Sequence, residues 1–164
     1  MYQASVPVLI RMLGNVRAIL EKAAAWAEAK KIDPAVLLQS RLAPDMFTLM
    51  RQVQIAADMA KGCAARLAGV ELPKFDDTEA TIPELLARID KTVAFLKTFT
   101  PAQIDGSEDK AITLQQRAGT REFKGQPYLL HYVMPNFYFH CTTAYALLRH
   151  NGLEIGKPDF VGRD

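Results

Sequence analysis

Three histidines are the residues of this sequence best suited to metal binding or acid–base chemistry, and all three lie near its end. They are His131, His140 and His150, in a chain of 164 residues. Neutral imidazole is a common ligand of zinc and related metals. Two ligands on one helix must be three or four residues apart to share a face, but these gaps are nine and ten residues. The spacing therefore does not support a divalent metal, and no cofactor is predicted.

His140 has the most polar surroundings of the three, and two interpretations of it stay open. Asn136 and Thr143 lie one turn away on the same face of a helix, whereas His131 points to nearly the opposite side. His140 is either a hydrogen-bonded histidine of the core or part of a small-ligand site. His150 suits the negatively polarised end of the helix.

A polar stripe on the second long helix supplies further candidates for a ligand site. It consists of Gln54, Asp58 and Lys61, which recur at helical spacing beside the apolar face. The stripe is either a solvated surface or the wall of a polar pocket that turns inward toward His140. In the second case Gln54 and Asp58 bind the ligand together with His140 and Asn136.

Aromatic residues are concentrated in the last helical segment. Aromatic side chains supply large apolar area, and tyrosine adds a polar tip. The cluster predicts either core packing with a dimer interface or a ligand pocket edged by hydroxyl groups, with Tyr132 as a binding residue. Six of the 14 aromatic residues lie within this stretch of 18: Tyr128, Tyr132, Phe137, Tyr138, Phe139 and Tyr145.

Four long amphipathic helices are predicted to position these side chains, and connections of modest length make them a bundle. The first runs from Val6 to Lys30. A short helix follows from Asp33-Pro34 through Leu42, and the second long helix begins at Pro44-Asp45 and ends near Gly69. Residues 70–80 form a polar connection.

Two capping motifs and a hairpin are predicted in the second half. Thr81 and Glu84 form a capping box that opens the third long helix, and Thr100 with Gln103 repeats the pattern. Alternating residues from Lys110 to Lys124 indicate a small β-hairpin with a turn at Ala118-Gly119.

The last long helix runs from Gln126-Pro127 to His150, with Gly152 as its C-cap. Pro135 is expected to kink or split it, because proline removes a backbone donor and crowds the preceding turn. Residues 153–164 are expected to form an ordered or partly ordered tail.

Composition places the chain among globular proteins and excludes several partners. The sequence is 49% hydrophobic and 23% charged, with a net charge of +2. This balance argues against nucleic acid and anionic membranes, and no apolar segment has the length of a membrane span. Cys63 and Cys141 lie in helical patterns and are expected to be buried free thiols. We expect one domain over residues 1–164 and no secretion signal.

Four segments resemble an uncharacterised bacterial domain-of-unknown-function family that belongs with the DinB/YfiT-like helical bundles. They are the start Met1–Val8, Arg41–Met46, Ile104–Asp109 and Pro135–Gly152. The resemblance implies an all-α DinB/YfiT-like four-helix bundle, a homodimer and a location in the bacterial cytoplasm. Members of the wider superfamily hold a divalent metal on one histidine of the second helix and two, four apart, on the last. Here Gln54 stands near the first position, and only His140 matches the others.

Three hypotheses follow about what the chain does. The first is a dimeric small-ligand-binding or non-catalytic bundle without the metal triad. The second is a metal-dependent hydrolase or thiol transferase, with a rearranged site in which His140 is joined by a carboxylate such as Asp58. The third is an interaction protein whose aromatic last helix makes the contact. Whether the protein is an enzyme stays open at this point.

Overall fold

The computed structural model describes residues 1–116 and 119–162, most of which lie in helices. A single 3-10 turn, Tyr2–Ala4, precedes the first helix. The elements are α1 (Val6–Lys30), α2 (Pro34–Leu38), α3 (Leu49–Ala68), α4 (Ile82–Leu96), α5 (Pro101–Ile104), β1 (Ala111–Gln116), β2 (Gly119–Lys124), α6 (Gly125–Pro127), a π-helical segment (Tyr128–Val133), α7 (Met134–His150) and α8 (Lys157–Val161).

Both ends of α1, the end of α3 and the starts of α4 and α5 lie where the sequence predicts. Helix α1 has the predicted bounds, and α3 ends against Gly69, whose φ of 75° is the left-handed conformation that glycine adopts without strain. Thr81 and Glu84 form the predicted capping box at the start of α4. Thr100 and Gln103 do the same for α5.

The segment between α2 and α3 departs from the prediction. Helix α2 ends at Leu38 and not at Leu42, and α3 begins at Leu49 and not at Pro44. Thr48 is the actual N-cap, because its hydroxyl accepts a hydrogen bond from the backbone N–H of Arg51 (3.3 Å). The start of α3 is therefore set by the capping hydrogen bond of Thr48 and not by the Pro-Asp pair at residues 44 and 45.

Pro135 changes the helix type instead of breaking the last helix. The segment from Gly125 to His150 stays helical throughout, but its part before Pro135 is a π-helix over Tyr128–Val133. A widened turn accommodates a proline that cannot donate to the preceding turn. The helix is capped at Asn151, and Gly152 follows it with a φ of 102°.

The predicted hairpin is present before the last long helix. Strands β1 and β2 pair antiparallel, with Ala111 opposite Lys124 and Gln116 opposite Gly119. Of the predicted turn, Ala118 lies outside the described residues. Gly125 follows the hairpin at a close approach, since a Cβ there would lie 1.9 Å from the Ser107 carbonyl oxygen.

The core lies between α1, α3, α4 and α7, and α3 packs most extensively against α7 and α4. Small residues of α3, Ala57, Ala60 and Ala64, are fully buried and allow the neighbouring helices to approach closely. The tail is ordered in part as α8, which packs on α1. Within the described residues no helix has the length and apolar character needed to cross a bilayer.

Candidate functional site

The structure separates the predicted ligand-binding residues into different places. Gln54 and Asp58 lie between α3 and α4, in a charged cluster around a buried arginine. His140 bonds to a different residue of α3. Tyr132 lies within the π-helical segment and Asn136 just after it on α7, where Asn136 Nδ2 donates to the Tyr132 carbonyl oxygen at 2.6 Å. The stripe containing Gln54 thus turns inward, but its contacts are with Glu79, in the segment before α4, and with Arg88 of α4, and not with His140.

His140 forms a hydrogen-bonded pair with Gln52, at 2.6 Å between Nδ1 and Oε1. Both side chains are buried, His140 being 8% exposed and Gln52 1%. On a helix, positions 52 and 54 point to nearly opposite sides. Gln52, and not Gln54, therefore stands across from the histidine of the last helix.

A second hydrogen bond determines which member of this pair donates and which accepts. The side-chain amide of Gln52 donates from Nε2 to the Phe47 carbonyl oxygen at 3.2 Å. The Gln52 oxygen must then accept, so the neutral imidazole of His140 donates from Nδ1. Burial lowers the pKa of His140, and the nearby charge of Arg51 lowers it further.

Because its pKa is lowered in the folded state, His140 should make stability depend on pH. The unfolded chain takes up the proton first, so this contribution is complete above about pH 6.5 and is lost as the pH falls through the folded-state pKa. We expect the free energy of unfolding to decrease between pH 7 and pH 5, and less so in His140→Gln. Urea unfolding at each pH measures both slopes.

His150→Gln, which replaces an exposed histidine of the same helix, controls for the loss of any histidine. Equal pH dependence in the wild type and His140→Gln would contradict the assignment.

The residues around His140 do not fit the metal site that the superfamily implies. Within residues 1–116 and 119–162, no three histidine, cysteine or carboxylate side chains are close enough together to hold a metal ion. His140 donates from Nδ1 to Gln52, which leaves Nε2 as its one ligand atom, and the amides of Gln52 and Asn136 are weak ligands for zinc or nickel. Ala144, one turn after His140, offers no ligand atom.

The charged cluster between α3 and α4 is built around Arg88. Its side chain is only 1% exposed. Nη2 contacts Asp58 at 3.0 Å and Asp77 at 2.9 Å, and Nη1 contacts Glu79 at 3.0 Å. Nη1 also donates to the Asp76 carbonyl oxygen at 3.2 Å. Paired carboxylates of this kind are what allow a guanidinium to be buried.

One donor of this arginine has no partner. Among the described residues, Nε of Arg88 is the only buried side-chain nitrogen or oxygen without a hydrogen bond. A buried donor left unpaired costs about 1–3 kcal/mol. Nε and Nη2 form one edge of the guanidinium, and a carboxylate can bind such an edge with both oxygens.

Three side chains of α3 also bind the carboxylates that contact Arg88. Arg51 forms a salt bridge with Asp77 through Nη1, which also donates to Gln54 Oε1 at 3.1 Å. Gln54 Nε2 donates in turn to Glu79 at 2.9 Å. Lys61, buried on the same helix, contacts Asp58 at 3.0 Å. Asp58 and Gln54 therefore belong to one continuous network.

Asp77 and Glu79 come from the strap, by which we mean residues 70–80, a segment without helix or strand between α3 and α4. Phe75 anchors the strap, since the ammonium groups of Lys61 and Lys91 lie 4.0 and 4.1 Å from its ring centre. An open groove of about 400 Å³ lies beside this anchor. Its lining is Phe75, Asp76, Thr78, Glu79, Glu84, Ala87, Arg88 and Lys91.

Part of the aromatic cluster and both cysteines lie in the core. Tyr128 and Phe137 are fully buried, and burial raises the pKa of the Tyr128 hydroxyl to about 12. Tyr132 stacks on Tyr128 with ring centres 5.9 Å apart. Cys63 and Cys141 are buried and free, and burial raises the pKa of both thiols.

Comparison with known proteins identifies the class to which this fold belongs. The chain is 44% identical to a DinB family member from Shewanella denitrificans whose crystal structure is known. The two structures superpose with a TM-score of 0.92 over 99% of this chain and 92% of the other. The fold is thus a mostly helical DinB-like fold with an antiparallel hairpin before the final long helix, as the sequence predicts.

Residues 1–161 match the model of DUF1993, a domain of unknown function. The chain belongs to this family. No protein with a curated function is significantly similar to it in sequence.

Proposed function

We propose that this chain is a small-ligand-binding protein of the DinB-like type that works without the three-histidine metal site of its superfamily. The groove that reaches the buried Arg88 between α3 and α4 carries the proposal. Ligand sites are concave and combine apolar surface with a few well-placed polar groups. Here Phe75 and Ala87 supply the apolar wall, and Arg88 and Lys91 supply the polar groups, with Glu79 bound to Arg88 beside them.

The pair of His140 and Gln52 supports the metal-free half of the proposal. His140 is the one histidine that matches the metal ligands implied by the resemblance to the superfamily, and here it joins the last helix to Gln52 of α3 through a 2.6 Å hydrogen bond. Of the ligand-binding residues that the sequence suggests, Gln54 and Asp58 border the proposed site through Glu79 and Arg88. His140, Asn136 and Tyr132 then have structural roles.

We also propose that the chain forms a homodimer through the apolar surface around Tyr138. This residue borders one groove with Leu42 and Phe139 and another with Val161, so the apolar surface is continuous. All four side chains are 39% to 54% exposed in the single chain. Exposed apolar patches of this kind mark protein interfaces.

Ligand binding can be tested with a fragment library of acidic, basic and neutral compounds, screened by ¹H–¹⁵N NMR on the uniformly labelled chain. We expect the hits to shift the backbone amides of Thr78, Ala87 and Lys91, which line the groove. Ala87→Trp should weaken these hits at least about tenfold, since an indole on the groove wall displaces anything bound there.

Ala94→Trp is the matched control, because it places the same side chain at an exposed position of the same helix that does not line the groove. The proposal is wrong if no compound shifts the groove amides, or if Ala87→Trp and Ala94→Trp bind the hits equally well.

A further inference from the structure

We infer that Asp77 and Glu79 of the strap occupy a binding site for a small dicarboxylate, and that such a ligand displaces them. This inference rests on the ligand groove proposed above, extends it at Glu79 and Arg88 to the place of the neighbouring Asp77, and names the class of compound that binds there. The two carboxylates are contributed by one short segment without regular structure, whereas the groups that hold them are on α3 and α4.

The two strap carboxylates are bound as a dicarboxylate would be. The Asp77 carboxylate bridges Arg51 and Arg88, giving one oxygen to each. The Glu79 carboxylate bridges Arg88 and Gln54, at 3.0 Å and 2.9 Å. Both carboxylates therefore share one guanidinium, and each has a second partner on α3.

Charge balance also favours a doubly charged ligand. The helices contribute three cations to the cluster, Arg51, Lys61 and Arg88, and one carboxylate, Asp58. The two strap carboxylates neutralise the remaining charge. A ligand with two carboxylates replaces them without leaving a buried guanidinium unpaired, which a neutral or cationic ligand cannot do.

The unpaired Nε of Arg88 gives a ligand an advantage over the strap. Asp58 and Asp77 both contact Nη2, but nothing bonds to Nε on the same edge of the guanidinium. A carboxylate that is not tethered to the backbone of the strap can bind Nε and Nη2 together. The strap thus holds the site closed with one hydrogen bond fewer than a free carboxylate could make.

The strap and the ligand are expected to compete for one site, and a binding experiment can test this competition. Succinate binding is measured by isothermal titration calorimetry on the full chain and on Asp77→Asn/Glu79→Gln. We expect the double variant to bind at least about tenfold more tightly, because a competing closed state lowers apparent affinity in proportion to its population. Adding Arg88→Lys to the double variant should abolish binding.

Matched controls separate this effect from a general change in charge. Glu71→Gln/Asp109→Asn removes the same two charges at exposed positions that do not contact Arg51 or Arg88, and it should bind succinate as the wild type does. Succinamide, the neutral diamide, should not bind. Equal binding of inorganic phosphate would overturn the dicarboxylate assignment in favour of a site for any anion.

A second measurement covers the case in which the double variant does not fold. In the wild type, saturating succinate should speed tryptic cleavage after Lys74, an exposed residue of the strap, because opening the strap frees the backbone for the protease. If the strap does not open, or if the folded double variant binds succinate no better than the wild type, the inference is wrong. Library hits that remain sensitive to Ala87→Trp would then still support the proposed groove.

Discussion

Arg88→Met is expected to lower the free energy of unfolding by about 3 kcal/mol, the lower end of the range for a broken buried ion pair. Methionine keeps the length of the aliphatic stem but removes the charge that neutralises Asp58, Asp77 and Glu79. The loss stays at the lower end because Asp58 and Asp77 are 35% and 38% exposed and can be partly rehydrated. Urea unfolding followed by circular dichroism measures the change.

Arg17→Met is the matched control for this experiment. Arg17 also contacts two carboxylates, Glu21 and Asp90, each at 2.7 Å, but it is 34% exposed and its partners are more than half exposed. Surface pairs of this kind contribute about 0–1 kcal/mol. Losses of similar size in the two variants would mean that the Arg88 cluster is no more than a surface network.

Arg88 and Gln52 could have been found in the sequence, because each interrupts an apolar stripe. Leu85, Ile89 and Leu96 define the buried face of α4, and Arg88 lies on that face three residues after Leu85. Gln52 has the same relation to Leu49 on α3. A polar residue on an apolar face must find a buried partner. Gln54 and Asp58 are easier to recognise as candidates than Arg88 or Gln52, because they form a polar stripe at helical spacing.

The partners of these residues could not be predicted in the same way. Local signals such as the Thr81–Glu84 capping box act over three or four residues and are visible in the sequence. The bond between Gln52 and His140 joins residues 88 positions apart. It depends on how α3 packs against α7, and this in turn depends on the π-helical turn before Pro135. Helical periodicity alone does not place that turn.

The partners of the strap could not be predicted from the sequence either, because the segment has no periodicity. Residues 70–80 contain charged and polar side chains that are typical of a solvated connection. Their packing comes from long-range partners, namely Arg88, Arg51 and the two lysines beside Phe75. Neither a charged residue on the apolar face of α4 nor a polar connection before that helix indicates a binding site by itself. Only their contact makes a candidate site.

Restoring histidines around His140 is expected to create a metal site in this chain. Gln52→His combined with Asn136→His, or with Ala144→His, gives one histidine on α3 and two, four apart, on α7. The resemblance to the superfamily implies this pattern of ligands, with Gln52 taking the place of Gln54 on α3 because Gln52 faces His140. Zinc at 100 times its dissociation constant should stabilise a variant that binds it by about 2.7 kcal/mol. Thermal unfolding with and without zinc measures the gain, and cobalt absorption spectra report the ligand geometry.

The wild type is the decisive control for this experiment, and it is purified without a histidine tag. We expect no stoichiometric zinc, nickel or manganese in it, because among the described residues no group of three histidine, cysteine or carboxylate side chains that could hold a metal ion includes His140. One equivalent of metal that is lost in His140→Ala would instead favour a metal-dependent hydrolase or thiol transferase with a rearranged site. If neither triple-histidine variant binds zinc, the pairing of Gln52 with His140 does not mark the superfamily's metal position.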